Sequence, residues 1–241
     1  MSTRALSLSV VLLAFDEEDN IAPVLEELAG VLRAAFDSHE VIVVDDGSRD
    51  ATAERARRAL AALGLDGRVV SHDRNRGMGA GLKTGVRAAT KPWVTFMPAD
   101  GQIDPADLVT LAAPASIEGA PMVVFSVYDS RDDGLDRKVL SAGVRALITA
   151  IHGVRLRSDG PYLFRRTLFD PDELPPDTFF LNFEFPIRVL AAGIPTSTVT
   201  IRCRPRRAGQ SKSTGLRRIA GVARDLIDLR IRRTRKALGL R

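Results

Sequence analysis

A single cysteine, Cys203, in 241 residues excludes an internal disulfide and with it a disulfide-stapled secreted fold. The composition fits a reducing compartment, and the cytoplasm is the expected location. Aromatic residues make up 5% of the chain. None lies in the basic C-terminal stretch, which therefore lacks the stacking surfaces with which proteins hold single-stranded nucleic acid. No nucleic-acid partner is expected. No segment reaches the roughly 20 consecutive apolar residues that a membrane-spanning helix needs. The apolar run beginning at Leu6 has strand length and no small-residue cleavage site, so it reads as a core strand and not as a signal peptide.

The formal charge is +5, but the excess is local. Residues 216–241 hold nine Lys or Arg against Asp225 and Asp228, a charge of +7, and the remaining chain sums to −2. A globally basic surface is therefore not implied. With 45% hydrophobic residues the chain can bury one sizeable core. One domain over 1–215 and a basic amphipathic helix over 216–241 are expected.

The first half alternates strand-like and helical patterns. Apolar runs at 8–15, 41–44, 67–71 and 93–97 are separated by helical periodicity over 20–36, 51–63 and 80–89. Repeated strand-helix units imply a mostly parallel sheet covered on both faces, with ligands beyond the carboxyl ends of its strands. Farther on, 122–128 and 194–202 read as strands and 135–154 and 179–192 as helices, and 204–215 as a polar loop.

Two acidic segments fall at expected strand ends. Val44-Asp45-Asp46-Gly47-Ser48 follows a β-branched run, and its carboxylates can accept hydrogen bonds from a base or from ribose hydroxyls; a turn with a helix cap is the plainer reading. Pro98-Ala99-Asp100-Gly101-Gln102 follows another strand. There Asp100, with Gln102 as a neutral oxygen donor, could hold Mg²⁺ or Mn²⁺ against a diphosphate, although this too could be a simple turn. Between them, 75–85 carries four glycines at a helix start and looks like a phosphate cradle, without the Gly-Lys-Ser/Thr ending of a P-loop.

In order, Leu13-Ala14-Phe15-Asp16-Glu17-Glu18-Asp19-Asn20-Ile21, Val44-Asp45-Asp46-Gly47-Ser48-Arg49-Asp50, Asn75-Arg76-Gly77 and Ala99-Asp100-Gly101-Gln102 resemble the family-2 glycosyltransferases of GT-A fold. The second half looks like the polyprenyl-phosphate (dolichol-phosphate) hexose synthases within that family. The segments concerned are Arg137-Lys138-Val139-Leu140-Ser141, Ser158 to Arg166, Phe183-Glu184 and Arg206 to Lys212. The resemblance implies an α/β fold with a Rossmann-like, mostly parallel sheet flanked by helices. It also implies inverting transfer of a hexose from a GDP- or UDP-linked donor to a polyprenyl phosphate.

By the same resemblance Phe15, Glu17, Asp45, Asp46 and Arg76 surround the nucleotide, and Asp100 with Gln102 binds metal and diphosphate. Arg131, Arg137 and Ser141 hold the acceptor phosphate, while Arg206, Ser211 and Lys212 close over the phosphates, with Ser211 also on the acceptor side. Asp100, Arg131 and Arg137 are the implied catalytic groups. The chain departs from the family at Pro98, where the pattern is Asp-X-Asp, so a single carboxylate and a weaker hold on the metal are expected. Asp16 stands in place of the usual Asn, and Leu13 in place of Pro.

A hydroxyl acceptor needs a general base, whereas a lipid phosphate arrives ionised and needs cations to align it. The second half is rich in cations and poor in bases. Asp159 and Glu184 would serve if the acceptor were a hydroxyl of a soluble metabolite or glycan, and His152 reads as a packed or surface residue. A sugar-nucleotide-binding protein without turnover is a further reading, motivated by Pro98. For a lipid acceptor, Leu216, Ile219, Val222, Ala223, Leu226 and Leu229 form an apolar stripe that could lie on an anionic membrane face, or pack on the domain.

Overall fold

The computed structural model describes residues 3–129, 135–175, 177–204 and 217–239; for 135–140, 217–220, 236 and 237 it describes the backbone alone. Its first half runs β1 (Leu8–Ala14), α1 (Ile21–Ala35), β2 (His39–Asp45), α2 (Thr52–Leu63), β3 (Gly67–Ser71), α3 (Met78–Ala88) and β4 (Trp93–Pro98). The second half adds α4 (Asp107–Ala112), β5 (Val123–Tyr128), α5 (Leu135–His152), β6 (Leu163–Arg165), α6 (Leu181–Ala191), β7 (Thr196–Ile201) and α7 (Arg217–Ala237).

One seven-stranded sheet has the order β3-β2-β1-β4-β6-β5-β7. All neighbours pair in parallel except β6, which is antiparallel to both β4 and β5. The expected mostly parallel sheet is therefore present. Its antiparallel member escapes sequence reading because three residues are too few to show a period.

Both faces of the sheet are covered. Val10, Leu12, Val41 and Val43 point to α1, α2 and α4 through Leu25, Leu28, Leu32, Leu60 and Leu108. Val11, Ile42, Val44 and Phe96 point the other way, to Leu82, Val86 and Phe185 of α3 and α6. Continuous apolar strands follow from this double burial, and each fully buried Val or Ile contributes on the order of 2 kcal/mol.

The glycines of α3 serve close packing. A Cβ on Gly85 would sit 2.2 Å from Cγ1 of Val11, and one on Gly79 would sit 2.5 Å from the carbonyl oxygen of Thr178. Ala80 N–H also donates to the Asp177 carbonyl at 2.9 Å. The helix start that reads as a phosphate cradle is thus seated on the segment before α6.

A third cluster holds α7 in place. Leu226 and Leu229, both fully buried, pack against Val144, Ile148, Phe180 and Ile187. Nε2–H of His152 donates to the Leu226 carbonyl at 3.1 Å, and Nη2 of Arg232 donates to Glu184 at 2.8 Å. His152 is a packing residue, as its apolar surroundings in the sequence indicate. Among the described residues no helix is long and apolar enough to cross a membrane.

Candidate active site

Strand register brings the acidic segments together. Ala14 pairs with Asp45, and Leu13 pairs with both Val44 and Pro98. The ladder extends one residue beyond the strands, with Asp46 N–H donating to Ala14 and Ala99 N–H to Leu13, each at 2.9 Å. Phe15, Glu17, Asp45, Asp46 and Asp100 therefore leave the sheet from three adjacent strands at one edge, β1 lying between β2 and β4.

The loops after β1 and β2 interlock. Ser48 Oγ accepts from Asp16 N–H at 2.9 Å, Asp16 Oδ1 accepts from Arg49 N–H at 2.9 Å, and Thr52 Oγ1 accepts from Glu17 N–H at 2.8 Å. Asp16 has a φ of +52°, a conformation that short polar side chains tolerate best. Asp there keeps what the usual Asn offers. Burial would raise the Asp50 carboxyl, but hydrogen bonds from Thr52 and from Glu18 N–H hold it below its ordinary value.

The two aspartates of the first motif have different surroundings. Asp46 takes N–H bonds from Arg76 (2.8 Å) and Gly77 (2.8 Å), and its Oδ1 lies 2.7 Å from Nδ1 of His72. Nε2 of His72 meets Oγ1 of Thr84 on α3 at 2.9 Å. One carboxylate thereby ties both ends of the loop 72–77. Asp45 accepts on Oδ1 from Ser48 N–H at 3.2 Å, and its Oδ2 has no partner among the described residues.

Gly47, at a φ of +72°, lets this turn approach the same loop, since a Cβ there would fall 2.4 Å from the Arg74 carbonyl carbon. Asp73, Arg74, Asn75, Arg76 and Asp177 line an open cleft of about 510 Å³. Lys83 donates to Asp177 at 2.7 Å and to the Pro175 carbonyl at 3.2 Å. That hydrogen bond, followed by the charges of Lys83 and Arg76, holds the Asp177 carboxyl below its usual range.

Asp100 is buried, and its Oδ1 accepts from Gln102 N–H at 3.1 Å. Arg204 N–H donates to the Gln102 carbonyl at 2.8 Å, and the Arg204 side chain reaches Glu27 at 2.8 Å and Asp104 at 2.5 Å. Arg204 is thus held beside the Asp100 turn. Pro98 offers a metal no side-chain ligand, and among the described residues no three His, Cys, Asp or Glu side chains gather around one point. The donor set fits a divalent ion that keeps several waters and takes its remaining ligands from a diphosphate, as Mg²⁺ commonly does.

The implied acceptor and closing residues Arg131, Arg206, Ser211 and Lys212 lie outside the described residues. Arg137 belongs to α5, with its side chain likewise outside, and Ser141 sits half-buried one turn farther along. The two candidate bases are both engaged. Glu184 is fully buried and accepts from Arg188 at 2.6 Å and Arg232 at 2.8 Å, and Asp159 pairs with Arg145 at 3.1 Å. Glu184 is withdrawn into the packing of α6 and α7, a correction to its reading as a possible base. His72, Thr84, Lys83 and Asp177 escape sequence reading because their partners lie far along the chain.

A Rossmann-like sheet presenting acidic turns from adjacent strand ends defines the GT-A class of nucleotide-sugar folds. Residues 9–181 match the family model "Glycosyl transferase family 2", and the chain belongs to that family. Dodecaprenyl-phosphate galacturonate synthase of Rhizobium johnstonii is 34% identical over 157 residues, 65% of this chain and 46% of that protein. Undecaprenyl-phosphate 4-deoxy-4-formamido-L-arabinose transferase of Pseudomonas fluorescens is 29% identical over 164 residues, 67% of this chain and 48% of that protein. The chain spans about half the length of these curated relatives. Glucosyl-3-phosphoglycerate synthase from Mycobacterium tuberculosis, solved with Mn²⁺, UDP and phosphoglyceric acid, superposes with a TM-score of 0.69 at 22% identity, over 98% of this chain and 80% of that one. Another structure of that synthase contains Mg²⁺ and UDP.

Proposed function

We propose that the chain transfers one hexose from a nucleoside diphosphate sugar to a polyprenyl phosphate, with inversion at the anomeric carbon. The observation that carries this reading is the convergence of Glu17, Asp45 and Asp100 at one sheet edge, in a chain whose relatives are named for transfer to prenyl phosphates. Asp45, through Oδ2, and Glu17 would receive N–H or O–H groups of the nucleoside. Asp46 would shape the cleft by holding the loop that carries Arg76. Asp100, with Gln102, would hold a divalent ion, which when bound neutralises the leaving diphosphate.

An acceptor phosphate oxygen attacks the anomeric carbon as the bond to the donor diphosphate breaks, and the nucleoside diphosphate leaves with the electron pair. The incoming phosphate is already ionised and hands no proton to the protein, which suits a site where Glu184 and Asp159 are bound to arginines. Arg131, Arg137, Ser141 and Ser211 would align the acceptor, and Arg206 and Lys212 would close over the donor. A polyprenyl phosphate resides in a bilayer, so the protein would work as a peripheral protein on the cytoplasmic leaflet, meeting it through α7.

Incubating the protein with UDP- and GDP-sugars, Mn²⁺ and a short polyprenyl phosphate tests this. A lipid-linked product supports the proposal. Transfer confined to water-soluble hydroxyl acceptors replaces the acceptor, and nucleotide binding without transfer to any acceptor leaves a binding protein in place of an enzyme.

A further inference from the structure

Helix α7 carries two apolar stripes, and the fold uses one of them. Leu226 and Leu229 are fully buried against α5 and α6. Ile227, Ile231 and Leu238 are 52%, 50% and 67% exposed. At 3.6 residues per turn these three fall within about 40° of one line along the helix. Leu238 continues the helix through its N–H bond to the Thr234 carbonyl at 3.0 Å. Exposed arginines border the line on both sides: measured around the helix from Ile227, Arg230 lies about 60° away on one flank, and Arg224 and Arg235 about 60° and 80° away on the other. The side chain of Arg224 is 84% exposed.

We infer that the outward face formed by Ile227, Ile231 and Leu238, with Arg224, Arg230 and Arg235, docks on an anionic lipid surface while α7 stays packed on the domain. The choice of occupant follows from charge. Apolar side chains can enter the boundary between headgroups and acyl chains, and long arginine stems let the guanidinium groups remain at the level of lipid phosphates. A second copy of the chain is disfavoured, because a two-fold contact presents the same patch on both partners and would set these arginines against each other. The inference deepens the lipid-acceptor reading by naming the face involved, and it relocates the contact from the Leu226–Leu229 stripe to the opposite side of the helix.

Cosedimentation of the full chain with vesicles tests it. Vesicles of phosphatidylcholine with a minority of phosphatidylglycerol should bind the protein, and pure phosphatidylcholine vesicles should bind it much less. Ile227→Ser with Ile231→Ser should lower partitioning on the order of tenfold, since each loses exposed apolar surface that the membrane would cover. The triple change Arg224→Gln, Arg230→Gln, Arg235→Gln should lower it on the order of a hundredfold, at about 1 kcal/mol per cation. It leaves every buried residue of α7 in place, so it serves if the serine variant unfolds.

Lack of binding to anionic vesicles, or binding unchanged in both variants, overturns the inference. So does a wild-type dimer in light scattering that the serine variant splits, which would give the face to a second copy. Transfer to a short polyprenyl phosphate in detergent is read separately. Activity there with no vesicle binding defeats the docking face alone, and vesicle binding without transfer defeats the acceptor reading alone.

Discussion

Nδ1 of His72 lies 2.7 Å from the carboxylate of Asp46, and the same carboxylate closes the far end of the loop at the amides of Arg76 and Gly77. The ring is thereby fixed as Nδ1–H donor, and Nε2 faces the Thr84 hydroxyl. Residues 73–76 between these anchors line the cleft.

His72→Phe should free one end of this loop. Hydrogen bonds to a charged group contribute about 1.5–3 kcal/mol, so amide exchange at Arg76 and Gly77 should quicken by at least tenfold while β1 and β2 amides keep their protection. Affinity for UDP or GDP, whichever the wild type binds, should fall in parallel. His72→Asn, whose side-chain amide can reach the Nδ1 position, should restore most of both. Equal exchange in wild type and His72→Phe would deny the ring this positioning role.

Asp100→Ala should leave the fold intact and reduce transfer by roughly a hundredfold or more, the scale expected when a charge-stabilising group is lost from a reacting diphosphate. Near-normal turnover in a folded variant would take Asp100 out of the mechanism. Metal binding should be weak in the free protein and should strengthen in the presence of UDP or GDP. Calorimetric titration of Mn²⁺ with and without nucleotide reads this difference.

Pro98→Asp adds a second carboxylate at the end of β4, two residues from Asp100. The Mn²⁺ concentration for half-maximal activity should fall about tenfold, since a further anionic oxygen favours a hard cation. An unchanged metal requirement would mean that position 98 does not face the ion.

Glu184 is fully buried between Arg188 and Arg232, whose side chains are 26% and 40% exposed. Removing one partner of a buried pair strands charge, with a loss of about 3–5 kcal/mol when burial is complete. Solvent around Arg232 screens part of this, so Glu184→Gln should cost roughly 1–3 kcal/mol. Thermal unfolding should report that loss while kcat stays near wild type well below the melting temperature. A collapse of kcat in the folded variant would return Glu184 to the chemistry.

His152 titrates below its ordinary value of 6.5, first because it is buried and next because Arg233 and Arg230 repel a proton there. The folded state keeps the ring neutral, with Nε2–H on Leu226. An unfolded chain protonates near pH 6.5. This contribution to stability is therefore complete above that pH and is lost as the pH falls from 6.5 through the lower folded value, by up to about 1.4 kcal/mol per pH unit. The melting temperature of the wild type should drop more between pH 7 and 5 than that of His152→Gln. Parallel curves would remove His152 as the cause.

Much of the first half was legible in the sequence. The runs expected at 8–15, 41–44 and 93–97 coincide with β1, β2 and β4; they are mostly apolar because these strands are covered on both faces, and such runs end where the chain leaves the core. That the acidic turns gather at one sheet edge was readable for the same reason. The period of α7 likewise announced an apolar stripe, left open between a membrane face and the domain; the fold buries Leu226 and Leu229 of it against α5 and α6.

Tertiary structure alone decided the rest. The three-residue β6 exists because β4 and β5 offer it two edges, and no local pattern encodes that. The glycines of α3 look alike in a phosphate cradle and in a close helix contact, and only Val11 and Thr178 distinguish the two. Asp45 and Asp46 are adjacent and chemically identical, yet one is tied to a loop 30 residues away and the other keeps an oxygen without a partner among the described residues. Sequence determines which groups reach the sheet edge, because burial is periodic along a chain; partners distant in sequence determine what each group does there, because hydrogen bonds and ion pairs are satisfied in space.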